Sequence, residues 1–139
     1  MQLSIKKINE LTRVLRSIRG IHAAFLFGSQ GRMQAGKRSD VDLAVQFDSR
    51  LSRGVRPQVA LRTFQTVTRV LGRNDVDLVE LNQAPVLLRY AATVHGRPLF
   101  IRPRRDTHRL AFRAMQDFED FRPYLERQRH ALKKKLARV

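Results

Sequence analysis

The stretch IHAAFLFGSQGRMQAGKRSDVDLAV, residues 21–45, decides how the chain folds, because two apolar segments enclose a polar loop that contains three glycines. Residues 21–27 form a short apolar run that is typical of a buried strand. Residues 41–47, VDLAVQF, alternate as a second strand does. The alternation places Val41, Leu43 and Val45 on one face and Asp40, Asp42 and Ala44 on the other.

Two phosphate-binding interpretations compete for the loop between these strands. Gly31 to Lys37 nearly matches G-x-x-x-x-G-K-[ST], a loop whose backbone amides and lysine bind a triphosphate. That motif needs a hydroxyl residue after the lysine, where this chain has Arg38, and it needs a helix where a strand follows here. We therefore reject this interpretation.

The second interpretation fits the flanking strands. Gly28 follows a buried strand, where a residue without Cβ permits a sharp turn and a close approach to phosphate. Ser29 offers a hydroxyl and an amide to phosphate oxygens, and the Arg32 guanidinium offers a bidentate contact to the next phosphate. Asp40 and Asp42 project from one face, and two carboxylates about 4 Å apart repel by roughly 4 kcal/mol at an effective dielectric constant of about 20. A divalent cation relieves that repulsion, so the pair predicts a magnesium site.

A third acid would complete such a site. The predicted strand VDLVEL, residues 76–81, supplies Asp77, which placement on a strand beside the pair would bring close enough to share a metal and activate a hydroxyl. Asp75 lies on the same face nearer the loop, and Glu80 faces the opposite way. We favour Asp77 because Val76 and Leu78 anchor it in the sheet.

The rest of the chain predicts a small mixed β-sheet covered by helices, an α/β (α+β) fold. Apolar spacing predicts helices over residues 3–19, 57–71 and 85–94 and another from residue 106 nearly to the end, with a further strand at 98–101. Pro123 should kink or divide the last helix. Two helices have predicted core-facing stripes, namely Ala60, Phe64, Val67 and Leu71 in one, and Leu110, Ala114, Phe118, Phe121 and Leu125 in the last.

Length and composition fit one domain. The 139 residues suffice for a single core, which we divide into residues 1–104 and a C-terminal helical extension, residues 105–139, packed on the core or on a partner. No apolar run is long enough to span a bilayer, so we expect no membrane contact and a cytoplasmic location. The absence of cysteine excludes thiolate metal sites, so any metal must bind oxygen or imidazole.

The net charge of +16 is concentrated at the two ends of the chain. Residues 1–20 contribute +4 and residues 102–139 contribute +7. A basic surface attracts nucleotides, nucleic acid or an acidic protein, and charge alone does not choose among them. Nucleic acid stays an open partner, although no recognition motif indicates it.

The combination of Gly28-Ser29-x-x-Arg32, Ser39-Asp40-x-Asp42 and Asp77 resembles the polymerase-beta-type nucleotidyltransferases, specifically their minimal nucleotidyltransferase (MNT) branch. The segment LNQAPVLLRYAATVHGRPLF resembles the helix and strand that follow the third acid in that branch. The tail DFEDFRPYLERQRHALKKKL resembles the MntA-type antitoxins of HEPN/MNT toxin–antitoxin modules.

This resemblance implies a nucleotidyltransferase fold and a division of roles. Asp40 and Asp42 would hold two magnesium ions, and Asp77 would ligate one of them and orient or deprotonate the attacking hydroxyl. A nucleotide-binding set, Gly28, Ser29, Arg32 and Ser39, would grip ATP.

The resemblance also implies the partner and the reaction. The chain would transfer AMP from ATP to a tyrosine of a cognate HEPN ribonuclease toxin, in a hetero-oligomer, and so inactivate the toxin. Two alternatives stay open: a stoichiometric toxin-neutralising binder with a vestigial nucleotide site, and a small-molecule nucleotidyltransferase, for which 139 residues leave little room for a substrate domain.

Overall fold

The computed structural model describes residues 3–28, 41–102 and 107–137. Helices and strands follow one another in the order that the sequence predicts. The elements are α1 (Ile5–Ser17), β1 (Ile21–Phe27), β2 (Val41–Phe47), α2 (Arg56–Leu71), β3 (Val76–Glu80), α3 (Val86–Thr93), β4 (Arg97–Ile101) and α4 (Thr107–Ala137).

The four strands form one mixed sheet in the order β3-β2-β1-β4. Strand β1 pairs antiparallel with both β2 and β4, whereas β2 and β3 run parallel. The parallel pair is joined through α2, as a parallel connection requires. The predicted mixed sheet covered by helices is therefore confirmed.

Helices cover both faces of the sheet. Helices α1 and α2 pack on one face against the side chains of Leu43 and Phe47, among others. Helices α3 and α4 cover the other face, where Phe25 and Ala44 are buried. Because β1 and β2 are central, six of the seven residues of β1 and five of the seven of β2 are buried, and the two polar residues of β2, Asp42 and Gln46, are half-buried.

Local signals set several helix ends. The Ser4 hydroxyl accepts a hydrogen bond from the Lys7 backbone N–H and caps α1. Pro57 lies in the first turn of α2, and Gly72 ends that helix with a φ of 65°.

The face that α2 presents to the core differs from the prediction. Val67 is fully buried as expected, but Phe64 is 37% exposed, and Thr63 and Thr66 are buried in its place. The Thr63 hydroxyl donates to the Val59 carbonyl oxygen at 2.7 Å, so its polar group is satisfied within the helix and its methyl group packs inward. A pattern built only from apolar residues overlooks such threonines.

Helix α4 confirms the predicted stripe in its first half. Ala114 is buried, and the other four members of the stripe are half-buried. Pro123 lies inside the continuous helix and does not divide it, and the alternative, a kink at this position, stays a prediction. Glu119, whose carbonyl the proline cannot satisfy, is exposed, and water can therefore hydrate the freed group.

Asn82 fastens the carboxyl end of β2 after β3 has ended. Its amide oxygen accepts a hydrogen bond from the Phe47 backbone N–H at 2.9 Å, and its amide nitrogen donates to the Phe47 carbonyl at 3.1 Å. The side chain thereby extends the hydrogen bonding of the sheet by one residue. No pattern in the sequence indicates this role of Asn82.

We predict that Asn82→Ala lowers the free energy of unfolding by about 1–3 kcal/mol, because it leaves both partly buried groups of Phe47 without this partner. Urea denaturation monitored by circular dichroism measures the change. Asn74→Ala, at an exposed position before β3, is the control and should shift the midpoint little. Equal midpoints for the two variants would contradict the bracing role of Asn82.

Candidate functional site

Acidic side chains meet where β2 and β3 begin. The parallel register pairs Asp42 with Asp77, and the antiparallel register pairs Asp42 with Phe27 at the end of β1. Adjacent strands lie about 4.8 Å apart, so the two aspartates are immediate neighbours. Asp42 is half-buried, and Asp77 is exposed and accessible to a substrate. The sheet therefore brings together two of the three predicted acids.

Both acids point to the face that α3 and α4 cover. Ala44 and Val79, two residues further along their strands, pack in the core of that face. The acids stand just beyond this core, at the strand ends. The sheet therefore fixes their backbone while their carboxylates stay within reach of solvent.

Gly28 lies beside the two acids, and we call Gly28, Asp42 and Asp77 together the acidic corner. It follows β1 directly and has a φ of 64°, which disfavours residues with a side chain. A Cβ atom at this position would collide with the Asp42 carboxylate oxygen Oδ2. Glycine therefore suits the left-handed φ at position 28, and its lack of a Cβ lets its backbone lie beside an acid of the candidate site.

The electrostatics of the corner favour a cation. Two neighbouring carboxylates repel when both are ionised, and a divalent cation between them removes that repulsion. Their oxygen atoms are the ligands that magnesium prefers. Among the described residues, no group of three or more histidine, cysteine or acidic side chains is placed to hold a metal ion.

The competing acids are engaged elsewhere. Asp75 accepts hydrogen bonds from the Arg73 guanidinium, and these hold the pKa of the Asp75 carboxyl below its usual value. Glu80 lies on the opposite side of β3, where its carboxylate is 3.6 Å from the Arg56 guanidinium. Each alternative third acid is thus paired with an arginine.

Four predicted site residues lie outside the described residues: Ser29, Arg32, Ser39 and Asp40. Asp40 immediately precedes Val41, the first residue of β2. The backbone N–H of Val41 donates to the Asp75 carbonyl oxygen at 2.9 Å, which ties the start of β2 to the segment that enters β3.

Two side-chain contacts that the sequence did not predict hold α3 and α4 together. Arg89 donates to the Asp117 carboxylate at 2.9 Å, and the Tyr90 ring stacks on Phe118 with centroids 4.0 Å apart. These pairs join residues 28 positions apart, so no local pattern in the sequence indicates them. They fix the two helices that cover the acidic face of the sheet.

A known protein family matches the part of the chain that contains the candidate site. The family model for polymerase beta, nucleotidyltransferase, matches residues 9–105, which include every residue of the candidate site. No curated protein matches the chain.

Solved toxin–antitoxin structures are similar over nearly the whole chain. A chain from a toxin–antitoxin complex with AMP-PNP is 26% identical, with a TM-score of 0.64, and the match covers 97% of this chain and 99% of that one. A chain from a mutant MntA-HpeT complex is 27% identical, with a TM-score of 0.63 and coverage of 98% and 99%. A chain from the complex of a tri-AMPylated Shewanella oneidensis HEPN toxin with an MNT antitoxin is 24% identical, with a TM-score of 0.60 and coverage of 95% and 97%, and shares the fold.

We predict that Gly28→Ala destabilises the protein more than Gly72→Ala does. Both glycines have a φ near 65°, but only at position 28 would the new Cβ meet Asp42, since nothing lies within 4 Å of it at position 72. The backbone strain costs about 1 kcal/mol in each case, and the collision should add about 1–2 kcal/mol. Urea denaturation of both variants measures the difference.

A second-site variant tests the cause. Adding Asp42→Ala to Gly28→Ala should recover the extra loss, as a double-mutant cycle would show. Equal destabilisation by Gly28→Ala and Gly72→Ala would mean that Asp42 does not limit the space at Gly28.

Proposed function

The chain belongs to the polymerase beta nucleotidyltransferase family, and we propose that it is an antitoxin that works as a protein adenylyltransferase. It transfers AMP from ATP to a tyrosine of a cognate HEPN ribonuclease toxin and thereby inactivates the toxin. It acts with magnesium, in the cytoplasm, where ATP is available.

The observation that carries this proposal is the corner formed by Gly28, Asp42 and Asp77. Two carboxylates are aligned on parallel strands, and a glycine backbone approaches one of them closely. The similarity to a chain from a toxin–antitoxin complex with AMP-PNP, at 26% identity over nearly the full length of both chains, supports the nucleotide and the class of partner.

The residues of the corner suit magnesium. Asp42 and Asp77 supply hard oxygen ligands on adjacent strands, and Asp40 would complete the set. Bound magnesium would neutralise charge on the triphosphate and on the leaving pyrophosphate. Gly28, Ser29, Arg32 and Ser39 would contact the phosphates through backbone amides, hydroxyls and the guanidinium group.

The transfer itself needs a nucleophile, a leaving group and a route for one proton. The tyrosine oxygen attacks the α-phosphorus of ATP and forms a new P–O bond, while the bond from the α-phosphorus to the bridging oxygen breaks. Pyrophosphate leaves with the bonding electron pair. Asp77 orients the tyrosine hydroxyl and accepts its proton, a role that its exposed position allows.

The C-terminal part of the chain has a separate role in this proposal. Residues 1–104 form the catalytic core, and residues 105–139 form an extension that contacts the core and the partner. The two proteins would form a hetero-oligomer in which the toxin tyrosine reaches Asp77.

We predict that the wild-type chain, incubated with its cognate HEPN toxin, ATP and magnesium, adds mass to the toxin in whole AMP units. Asp42→Asn should abolish the gain, and Asp77→Asn should slow it by about 100-fold or more, as loss of a positioned base does. Intact-protein mass spectrometry over a time course measures both effects.

Asp75→Asn is the matched control, because it makes the same chemical change on the same side of the same segment. It should keep most of the transfer activity, since Arg73 already engages Asp75. Loss of transfer in Asp75→Asn with retention in Asp77→Asn would assign the third acid to Asp75.

Replacing two of the proposed magnesium ligands together distinguishes an adenylyltransferase from a protein that neutralises the toxin by binding alone. The double variant Asp40→Asn, Asp42→Asn should fail to protect cells from the toxin. If the double variant protects and the wild-type chain adds no mass to the toxin, the protein neutralises by binding and the adenylyltransferase proposal is wrong.

A further inference from the structure

The last part of α4 leaves the body of the protein. Every side chain from residue 126 to residue 137 is exposed, whereas the half-buried residues Phe118, Phe121 and Leu125 precede it. We call residues 126–137 the C-terminal arm. Twelve helical residues extend about 18 Å, so the arm is a continuous helix with water around its whole circumference.

The C-terminal arm carries apolar side chains that nothing in the described part of the chain covers. Leu132 is 59% exposed and Leu136 is 65% exposed. Phe118, Leu125 and Leu132 recur every seven residues, which places them on one face of the helix. Together with Leu87 of α3, which is 44% exposed, these three residues line a groove of about 720 Å³ along α4.

Basic side chains flank the groove. Arg122 and Arg129 line it together with Glu126, and Lys133 follows Arg129 by one helical turn. Arg122 pairs with Glu119 at 3.3 Å, so Arg129 and Lys133 carry the uncompensated charge of the rim. The arm carries five basic side chains and one acidic one, Glu126. Within the described ranges, no carboxylate forms an ion pair with Arg129 or Lys133.

The charge selects among the possible occupants of the groove. A second copy of the chain would bring an equally basic arm against this one, and like charges at close range are unfavourable. An acidic partner protein with apolar side chains satisfies both the leucines and the basic rim.

The location of the groove connects it to the candidate site. Helices α3 and α4 cover the face of the sheet toward which Asp42 and Asp77 point. A partner held along α4 therefore lies on the same side of the sheet as the two acids.

We propose that this groove and the C-terminal arm form the docking surface for the toxin, and that they bind an acidic surface of it that carries apolar side chains. The inference rests on the proposed function, because it takes the toxin as partner. Docking here is separate from the chemistry, since no residue of the arm belongs to the acidic corner.

The test compares two single substitutions at adjacent positions. Leu132→Asp introduces a charge into the groove, whereas Ala131→Asp introduces the same charge on the part of the helix that faces a different surface, with Arg127 and His130. Both positions are exposed and helical, so the cost of aspartate to the helix is similar, and it is slightly larger at Ala131 because alanine is the better helix former. Circular dichroism and urea denaturation verify that both variants fold as the wild type does.

Binding of each full-length chain to the purified toxin is measured by isothermal titration calorimetry, with no nucleotide present. Leu132→Asp should raise the dissociation constant by about 10-fold or more, as loss of a buried leucine contact does. Ala131→Asp should bind as the wild type does. Affinity of the wild type should also fall as salt is raised, because rim charges are screened.

Transfer assays distinguish docking from catalysis. Leu132→Asp should raise the toxin concentration needed for half-maximal transfer and leave the maximal rate near that of the wild type. Loss of toxin binding in Leu132→Asp, with no AMP transfer even by the wild type, would uphold the docking surface and refute the adenylyltransferase.

Three outcomes overturn the docking surface. Equal affinities for Leu132→Asp, Ala131→Asp and the wild type would place the interface elsewhere, whether or not AMP is transferred. Absence of any complex between the wild type and the toxin would show that the toxin is not the partner that binds this groove. A wild-type chain that sediments alone as a dimer and becomes monomeric through Leu132→Asp would show that a second copy occupies the groove.

Discussion

The alignment of Asp42 with Asp77 across two parallel strands is the constraint on which the candidate site depends. Two ionised carboxylates side by side repel each other, so the sheet must hold the strands that carry them in register. The sheet does so through burial, since Val41, Leu43 and Val45 of β2 are completely inaccessible to solvent. The stability of the core thus keeps the two acids in register.

Gly28 belongs to the same constraint. The end of β1 approaches Asp42 so closely that a Cβ atom would displace its carboxylate. This close approach leaves a backbone surface without side chains next to the acids, which is where a phosphate group needs room. The proximity of a glycine backbone and two carboxylates is typical of nucleotide chemistry and agrees with the family to which the chain belongs.

Helix α4 serves two purposes in one continuous element. Its first half closes the core above the acidic face, fastened to α3 by the Arg89–Asp117 ion pair and by the stacking of Tyr90 on Phe118. Its second half extends into solvent with leucines and basic side chains exposed. The second half continues from the first as the same helix. No helix in the described part of the chain is long and apolar enough to cross a membrane.

Patterns along the sequence determined the order of helices and strands, the two faces of β2 and the candidates Gly28, Asp42 and Asp77, because burial repeats with the local period of each element. Tertiary contacts alone decided the register that pairs Asp42 with Asp77, the arginine partner of Glu80 and the brace at Asn82. Most of these features join residues far apart in the chain. The burial of Thr63 instead reflects a hydroxyl satisfied within its own helix, which a pattern of apolar residues does not register. The exposure of the C-terminal arm was also decided by the tertiary structure. Apolar spacing predicted the helix, but only the packed structure shows which of its turns have nothing to pack against.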